Sequence, residues 1–334
     1  MGLQVGYRRQ YQIWRMLDHL LGTENPAKRF SNQRNKIINS ILTNTHLKPT
    51  NGEIKQVERI QNYSPKNLKQ HYLKKGTPII IEGAAKEWNC VKKWSLDWLY
   101  ENYCNDEVAI FDPLNSQTDQ INYQIEQTTL KMVIEAMKKG DSSKYSRFNR
   151  ILYDHPELIN DFDWKWLYKM RNQLSSGKTF QVFIGGKGTN TSLHCAAEHN
   201  LFTQVYGEKH WYFFAPKNDI FLDPPITKSP YFYSKFNPEK PDFNEFPAAN
   251  HLTTWECILK PGDVLFNPPF WWHQVKNISH SIGVGFRWFS PMESIKSSLS
   301  STLLTLLSTN PSILTATKHR TNFARIFKYM NNKQ

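Results

Sequence analysis

Along the first part of the chain, apolar residues return at helical spacing. Tyr11, Trp14, Leu17, Leu20 and Leu21 form one set, and Ile37, Ile38, Ile41 and Leu42 form another after a polar break. Recurrence every three or four positions marks a helix with one buried face, so residues 5–47 are expected to be helical pieces packed on a main domain. From Ser64 the pattern changes. Ser64-Pro65 reads as the start of a helix predicted to run to Lys75, and Thr77-Pro78-Ile79-Ile80-Ile81-Glu82-Gly83 as a buried strand stopped by glycine. A short helix over Trp94–Tyr103 and a strand over Val108–Phe111 follow.

Between Phe180 and Trp288 short strands dominate: Phe180–Ile184, Leu201–Tyr206, Lys209–Phe214, Asp263–Phe266 and Ser281–Phe286. Gly and Pro turns separate them, and a long polar insertion lies near residues 217–250. Many short strands at this spacing predict a mainly β fold with helical flanks, a double-stranded β-helix of the jelly-roll kind. After Pro291 helical spacing returns. Ile295, Leu299, Leu303, Leu306 and Leu307 line one stripe, and Ile313, Phe323, Ile326 and Phe327 line a second beyond Pro311. These C-terminal helices are expected either to cap the barrel or to form a homodimer interface. The expected organisation is a basic helical extension over residues 1–54, a barrel domain over 55–290 and a helical segment over 291–334.

Composition narrows the class. Of the 334 residues 39% are hydrophobic and 21% charged, which excludes collagen-like, low-complexity and wholly disordered chains. No apolar run approaches the roughly 20 residues of a membrane-spanning helix. Neither a secretory leader nor a myristoylation signal is evident, so a soluble cytoplasmic protein is expected, with the nucleus as the alternative compartment. Lys+Arg 42 against Asp+Glu 29 gives a net charge of +13. Ten Lys/Arg and four Asp/Glu put +6 of it in residues 1–60. That balance admits a nucleic-acid partner, but no Arg-rich tract or RNA-binding signature supports one. Cys90, Cys104, Cys195 and Cys257 form no CxxC pair and read as free thiols.

Two histidines carry candidate chemistry. His194 follows Thr191-Ser192-Leu193, and His273 follows Pro268-Pro269-Phe270-Trp271-Trp272. Both sit at edges of predicted strands, where a barrel gathers ligands at its mouth, and imidazole suits iron, zinc, nickel and copper. A facial-triad iron site adds one carboxylate, normally two residues after the first histidine because alternate strand residues share a face. Here that place holds Ala196, which cannot ligate. Lys209 lies next to a glycine turn in a strand of otherwise apolar and aromatic character. If it points into the barrel it requires an anionic partner, since an unpaired buried charge is costly.

These residues carry a resemblance. The text Lys74-Lys75-Gly76-Thr77-Pro78 through Ala85, Trp88, Trp94-Ser95, Thr191-Ser192-Leu193-His194, Asn200, Gln204, Gly207, Lys209 and Trp211 resembles the cupin-like JmjC hydroxylases. So do Pro261-Gly262-Asp263-Val264-Leu265-Phe266, Trp271-Trp272-His273 and Phe286-Arg287-Trp288. That family of Fe(II)- and 2-oxoglutarate-dependent oxygenases includes the asparaginyl hydroxylase of hypoxia-inducible factor. The resemblance implies His194 and His273 as iron ligands, Thr191 and Lys209 as contacts of the 2-oxoglutarate carboxylate, and Asn200 in the same pocket. It implies a protein or peptide substrate and, through the C-terminal helices, a homodimer. Ala196 departs from it and leaves three expectations open. Water or an anion fills the ligand position, as in halogenases that are similar here. Alternatively Cys195 or Glu198 substitutes, or the chain is a non-catalytic binding scaffold.

Overall fold

The computed structural model of the protein describes residues 2–21, 30–44, 49–50, 52–61, 64–111, 125–141, 144–171, 174–310 and 312. Among them the first strands are β1 (Ile54–Gln56), β2 (Glu58–Ile60), β3 (Ile79–Ile81), β4 (Glu107–Phe111), β5 (Ile125–Thr129) and β6 (Tyr145–Asn149). The next are β7 (Ser176–Gly185), β8 (Asn190–Cys195), β9 (His199–Tyr206), β10 (Lys209–Phe214) and β11 (Phe232–Tyr233). Last come β12 (Thr254–Leu259), β13 (Val264–Asn267), β14 (Trp272–Asn277) and β15 (Ser281–Phe289). One sheet has the order β2-β3-β13-β9-β15-β7-β6 and the other β1-β12-β10-β14-β8-β11, while β4 and β5 pair separately.

The chain winds between the two sheets. Strands β7, β9, β13 and β15 belong to the first sheet, and β8, β10, β12 and β14 to the second. This is the expected jelly roll. The inner faces meet through aromatic residues: the Phe202 and Trp211 rings lie 5.0 Å apart, edge to face. Alternation then sends Ile282, Val284, Phe286 and Trp288 of β15 outward onto the helices, while Gly283, Gly285 and Arg287 face inward.

Several expectations shift. The stretch 64–75 is helical but irregular: one α turn at Pro65–Asn67, a π turn at Leu68–Tyr72 and a 3-10 turn at Leu73–Lys75, ended by Gly76 at φ +66. Only glycine takes that left-handed conformation freely. The insertion 217–250 is not a polar loop. It buries Ile220, Phe221, Leu222, Phe232 and Phe236 against the outer side of β8, together with helices α1 (Gly2–Leu21) and α2 (Ser31–Leu42). Its apolar residues are spread among prolines and lysines, so no periodicity shows them.

The C-terminal helices Pro291–Ser297 and Leu299–Leu306 do not cap the barrel with their apolar stripe. Leu299, Leu303, Leu306 and Leu307 point outward, and Ser294, Ser298, Ser301, Thr302 and Thr305 are buried. Short hydroxyl side chains can face inward because they satisfy their own polarity: Thr302 and Thr305 each donate to a carbonyl one turn back at 2.8 Å. Ser294 donates to the Ala197 carbonyl and Ser297 to that of Pro269. The second stripe expected at Ile313, Phe323, Ile326 and Phe327 lies outside the described residues. No helix among the described residues is long and apolar enough to cross a membrane.

Candidate active site

His194 and His273 stand directly opposite each other on paired strands β8 and β14. Their rings are 4.2 Å apart between centroids. Thr191 is three residues before His194, an odd spacing that would put the two on opposite faces of a regular strand. A register shift between the His273 and Val275 pairings corrects the phase, so Thr191 faces Val275 on the inner side. The Thr191 hydroxyl hydrogen-bonds that of Tyr145. Lys209 opens β10 in register with Asn277, and Phe213 on the same face pairs with His273. Period-two alternation therefore brings Lys209, His273 and His194 into one interior.

Hydrogen bonding fixes the imidazole tautomers. His194 Nδ1 lies 2.8 Å from the Ser192 carbonyl oxygen and His273 Nδ1 2.9 Å from that of Trp271. A carbonyl only accepts, so each Nδ1 carries the proton and each Nε2 keeps its lone pair. Burial pushes His194 down to about 4, with Arg287 and Arg147 adding to it. His273 is lowered further by burial, by His194 and by Arg287. Both rings are thus neutral near neutral pH, the form that binds metals. The Asn267 amide nitrogen sits 3.2 Å from His273 Nδ1 and 3.4 Å from Nε2, and Trp211 stacks at 5.7 Å.

Lys209 is fully buried, and no carboxylate among the described residues pairs with it. Its ammonium donates to Asn277 Oδ1 at 2.5 Å. Ser281 donates to the same oxygen, and the Asn277 amide donates to Thr189 at 2.6 Å. The rings of Tyr145 and Phe202 lie 5.7 and 5.9 Å from Nζ. Burial first, and the Arg147 charge second, push Lys209 down to about 7. Asn200 is buried, and its Oδ1 has no partner among the described residues; neither has Asn267 Oδ1 or Trp211 Nε1. The interior thus combines a buried ammonium with amide and indole atoms able to hydrogen-bond further.

A family model described as the cupin-like domain matches residues 65–294. The chain belongs to the cupin-like family. Among curated relatives, lysine-specific demethylase 8 of Xenopus tropicalis is 26% identical over 227 residues, 67% of this chain and 51% of the relative. JmjC domain-containing protein D of Dictyostelium discoideum is 28% identical over 253 residues, 69% of this chain and 56% of the relative. Human tRNA wybutosine-synthesizing protein 5 is 27% identical over 260 residues, 71% and 79%. The chain spans about half the length of the first two. The similarity thus stands at the level of the cupin-like, JmjC-bearing group, and these relatives do not single out the asparaginyl hydroxylase.

Within this cupin-like barrel Ala196, two residues after His194, brings no ligating side chain to the interior. No group of three His, Cys, Asp or Glu side chains able to hold a metal occurs among the described residues. Cys195 does not substitute, because alternation puts it on the outer face beside Leu193, where burial raises its thiol pKa well above the usual range. Glu198 lies beside His199, which stacks on Trp288 at 4.9 Å and pairs with Glu293 at 3.2 Å on the outer side of β9. The interior fits 2-oxoglutarate through Lys209, Thr191 and Asn200. It fits a metal through two imidazole Nε2 atoms, with further positions left to cosubstrate and water. Tyr145, Asn277, Asn267 and Arg287 also line it; Arg287 lies within the Phe286-Arg287-Trp288 text that carries the resemblance, yet nothing in the sequence assigns it or the other three a role.

Proposed function

We propose that this chain is a 2-oxoglutarate-dependent oxygenase acting on a protein side chain, with His194 and His273 holding Fe(II) and Lys209, Thr191 and Asn200 holding the cosubstrate. The observation that carries it is Lys209. A buried ammonium without a carboxylate is costly, and a ligand carboxylate gives it a charge-assisted hydrogen bond. Iron with 2-oxoglutarate supplies the dioxygen activation that oxidises a C–H bond. The protein's own part is positional. The backbone carbonyls of Ser192 and Trp271 hold the two imidazoles in the ligating tautomer. The aromatic walls Phe202, Trp211 and Phe213 keep water from the interior. The names of the demethylase relatives support a protein substrate, and the wybutosine-synthesizing relative makes an RNA substrate the comparison to include in assays.

A second reading, a binding scaffold without turnover, is favoured by Ala196. One anaerobic titration separates the two. Fe(II) with 2-oxoglutarate is expected to give a weak visible charge-transfer band that His273→Ala abolishes. Losing even an outer partner costs a metal site about 10–100-fold, so Ala196→Asp, which adds a direct ligand, is expected to tighten iron binding by at least about tenfold. Absence of band and of metal uptake in both proteins overturns the oxygenase reading.

A further inference from the structure

Two register pairings share His194. It stands opposite His273 of β14 on one side and opposite Tyr233 of β11 on the other. Residues opposite one another in neighbouring strands point to the same face, with Cβ atoms about 4.5–5.5 Å apart. His273, His194 and Tyr233 therefore form one row across β14, β8 and β11, which are consecutive in the second sheet. The next pair along fixes which face this is. Phe232 stands opposite Cys195, and both pack in the outer cluster with α1 and α2. Alternation then turns Tyr233 the other way, to the side of the histidines. Its burial agrees, since the residue is partly exposed while its hydroxyl oxygen is buried. The tip of the ring points inward.

The short strand β11 is held in this place from several directions. The Ser234 backbone N–H donates to the Leu193 carbonyl at 2.9 Å, and the Ser234 hydroxyl to that of Leu222 at 2.6 Å. The Arg15 guanidinium lies 5.0 Å from the centre of the Phe232 ring, and the Phe270 ring lies 6.3 Å from it on the segment that leads into His273. A phenol reaches further from the backbone than an imidazole. The outermost strand of the row thus carries its longest side chain, which suits convergence of all three on a point over His194.

We propose that Tyr233 is the third protein ligand of the iron held by His194 and His273, so that the 217–250 insertion supplies the anionic oxygen that Ala196 lacks. The inference rests on the metal half of the function proposed above. Two neutral imidazoles bring no charge to a metal cation, and a facial-triad site takes its one negative oxygen from a carboxylate. A phenolate oxygen fills the same part. As the Tyr233 oxygen bonds the metal, its O–H bond breaks and the proton passes to water; the cation's own charge favours this. Cys195 and Glu198, the donors nearest to Ala196 in sequence, lie on the outer sides of β8 and β9, whereas Tyr233 reaches the inner side from a neighbouring strand.

Two titrations of the purified full chain test it: Fe(II) under nitrogen, with bound metal measured against a competing chelator, and Fe(III) added as its nitrilotriacetate complex, followed by visible and resonance Raman spectra. The wild-type protein with Fe(III) is expected to show an intense visible phenolate-to-iron charge-transfer band that enhances tyrosine ring modes. Tyr233→Phe and His273→Ala are each expected to lose the band. Losing an outer partner alone costs a metal site about 10–100-fold, so Tyr233→Phe is expected to weaken Fe(II) binding by at least about tenfold. Adding Ala196→Asp to Tyr233→Phe is expected to restore Fe(II) binding without the band, which also shows that the variant is folded. Metal uptake by the wild-type protein without the band, or a band that survives in Tyr233→Phe, overturns the inference and leaves the two-histidine site standing. No uptake of either ion by the wild-type protein overturns both.

Discussion

At the residue scale, the behaviour of Lys209 follows from its surroundings. An ammonium sealed between β10 and β14, with aromatic rings on two sides and Arg147 nearby, loses its proton far more readily than a solvated one and sits at about 7. A dianionic ligand binds the charged form. The sign is therefore fixed: below about pH 7 the lysine is already protonated, and above it each binding event must first take up a proton. Dicarboxylate affinity is expected to be level at acid pH and to fall by up to about tenfold per pH unit above about pH 7. Titrations from about pH 6 to about pH 9 check this, and Lys209→Met is expected to bind weakly and without that slope.

At the scale of elements, β8 and β15 decide what the interior can hold. The register shift in β8 turns Thr191 and His194 to one side, and the glycines of β15 leave room for Phe202 and Lys209. Gly283→Ala drives a methyl group into a buried ring, an overpacking that costs about 1–3 kcal/mol. Chemical denaturation is expected to show that loss together with weakened dicarboxylate binding, whereas a purely structural role would leave the binding of the folded fraction unchanged. Element boundaries were legible where residues alternate or recur. Lys209–Phe214 matches β10 residue for residue. Strands β12 and β14 were not read, because Glu256, Gln274 and Lys276 interrupt their apolar residues. Their inward positions carry Cys257, Val275 and the site residue His273, with polar residues between them.

At the scale of the whole molecule, the N-terminal helix is tied into the barrel through buried charge. Arg15 lies 3.4 Å from Asp219, both fully buried, and Gln12 and Arg8 reach the same carboxylate. Tyr11 donates to Asp223 at 2.7 Å. Arg15 also covers the ring of Phe232, whose strand β11 pairs with β8 at Cys195 and His194. Breaking one partner of a buried pair leaves an uncompensated charge and costs about 3–5 kcal/mol. Asp219→Ala is expected to lower stability by about that much and to expose α1 to protease, measured by urea unfolding and limited proteolysis. Stability unchanged by this substitution would show that α1 is anchored by its apolar face alone.

The sequence by itself determined the jelly-roll class and the His194, His273 and Lys209 positions, because period-two alternation and motif spacing are local properties of a chain. It also showed that Ala196 cannot ligate. What covers β8, which residues besides the motif line the interior, and that Cys195 faces away from His194 were decided only by the tertiary structure. Those facts depend on residues far apart in sequence, such as Arg15 with Phe232 or Arg287 with Asn200, meeting across strands. No local pattern records which strand lies beside which, or where a bulge resets the phase.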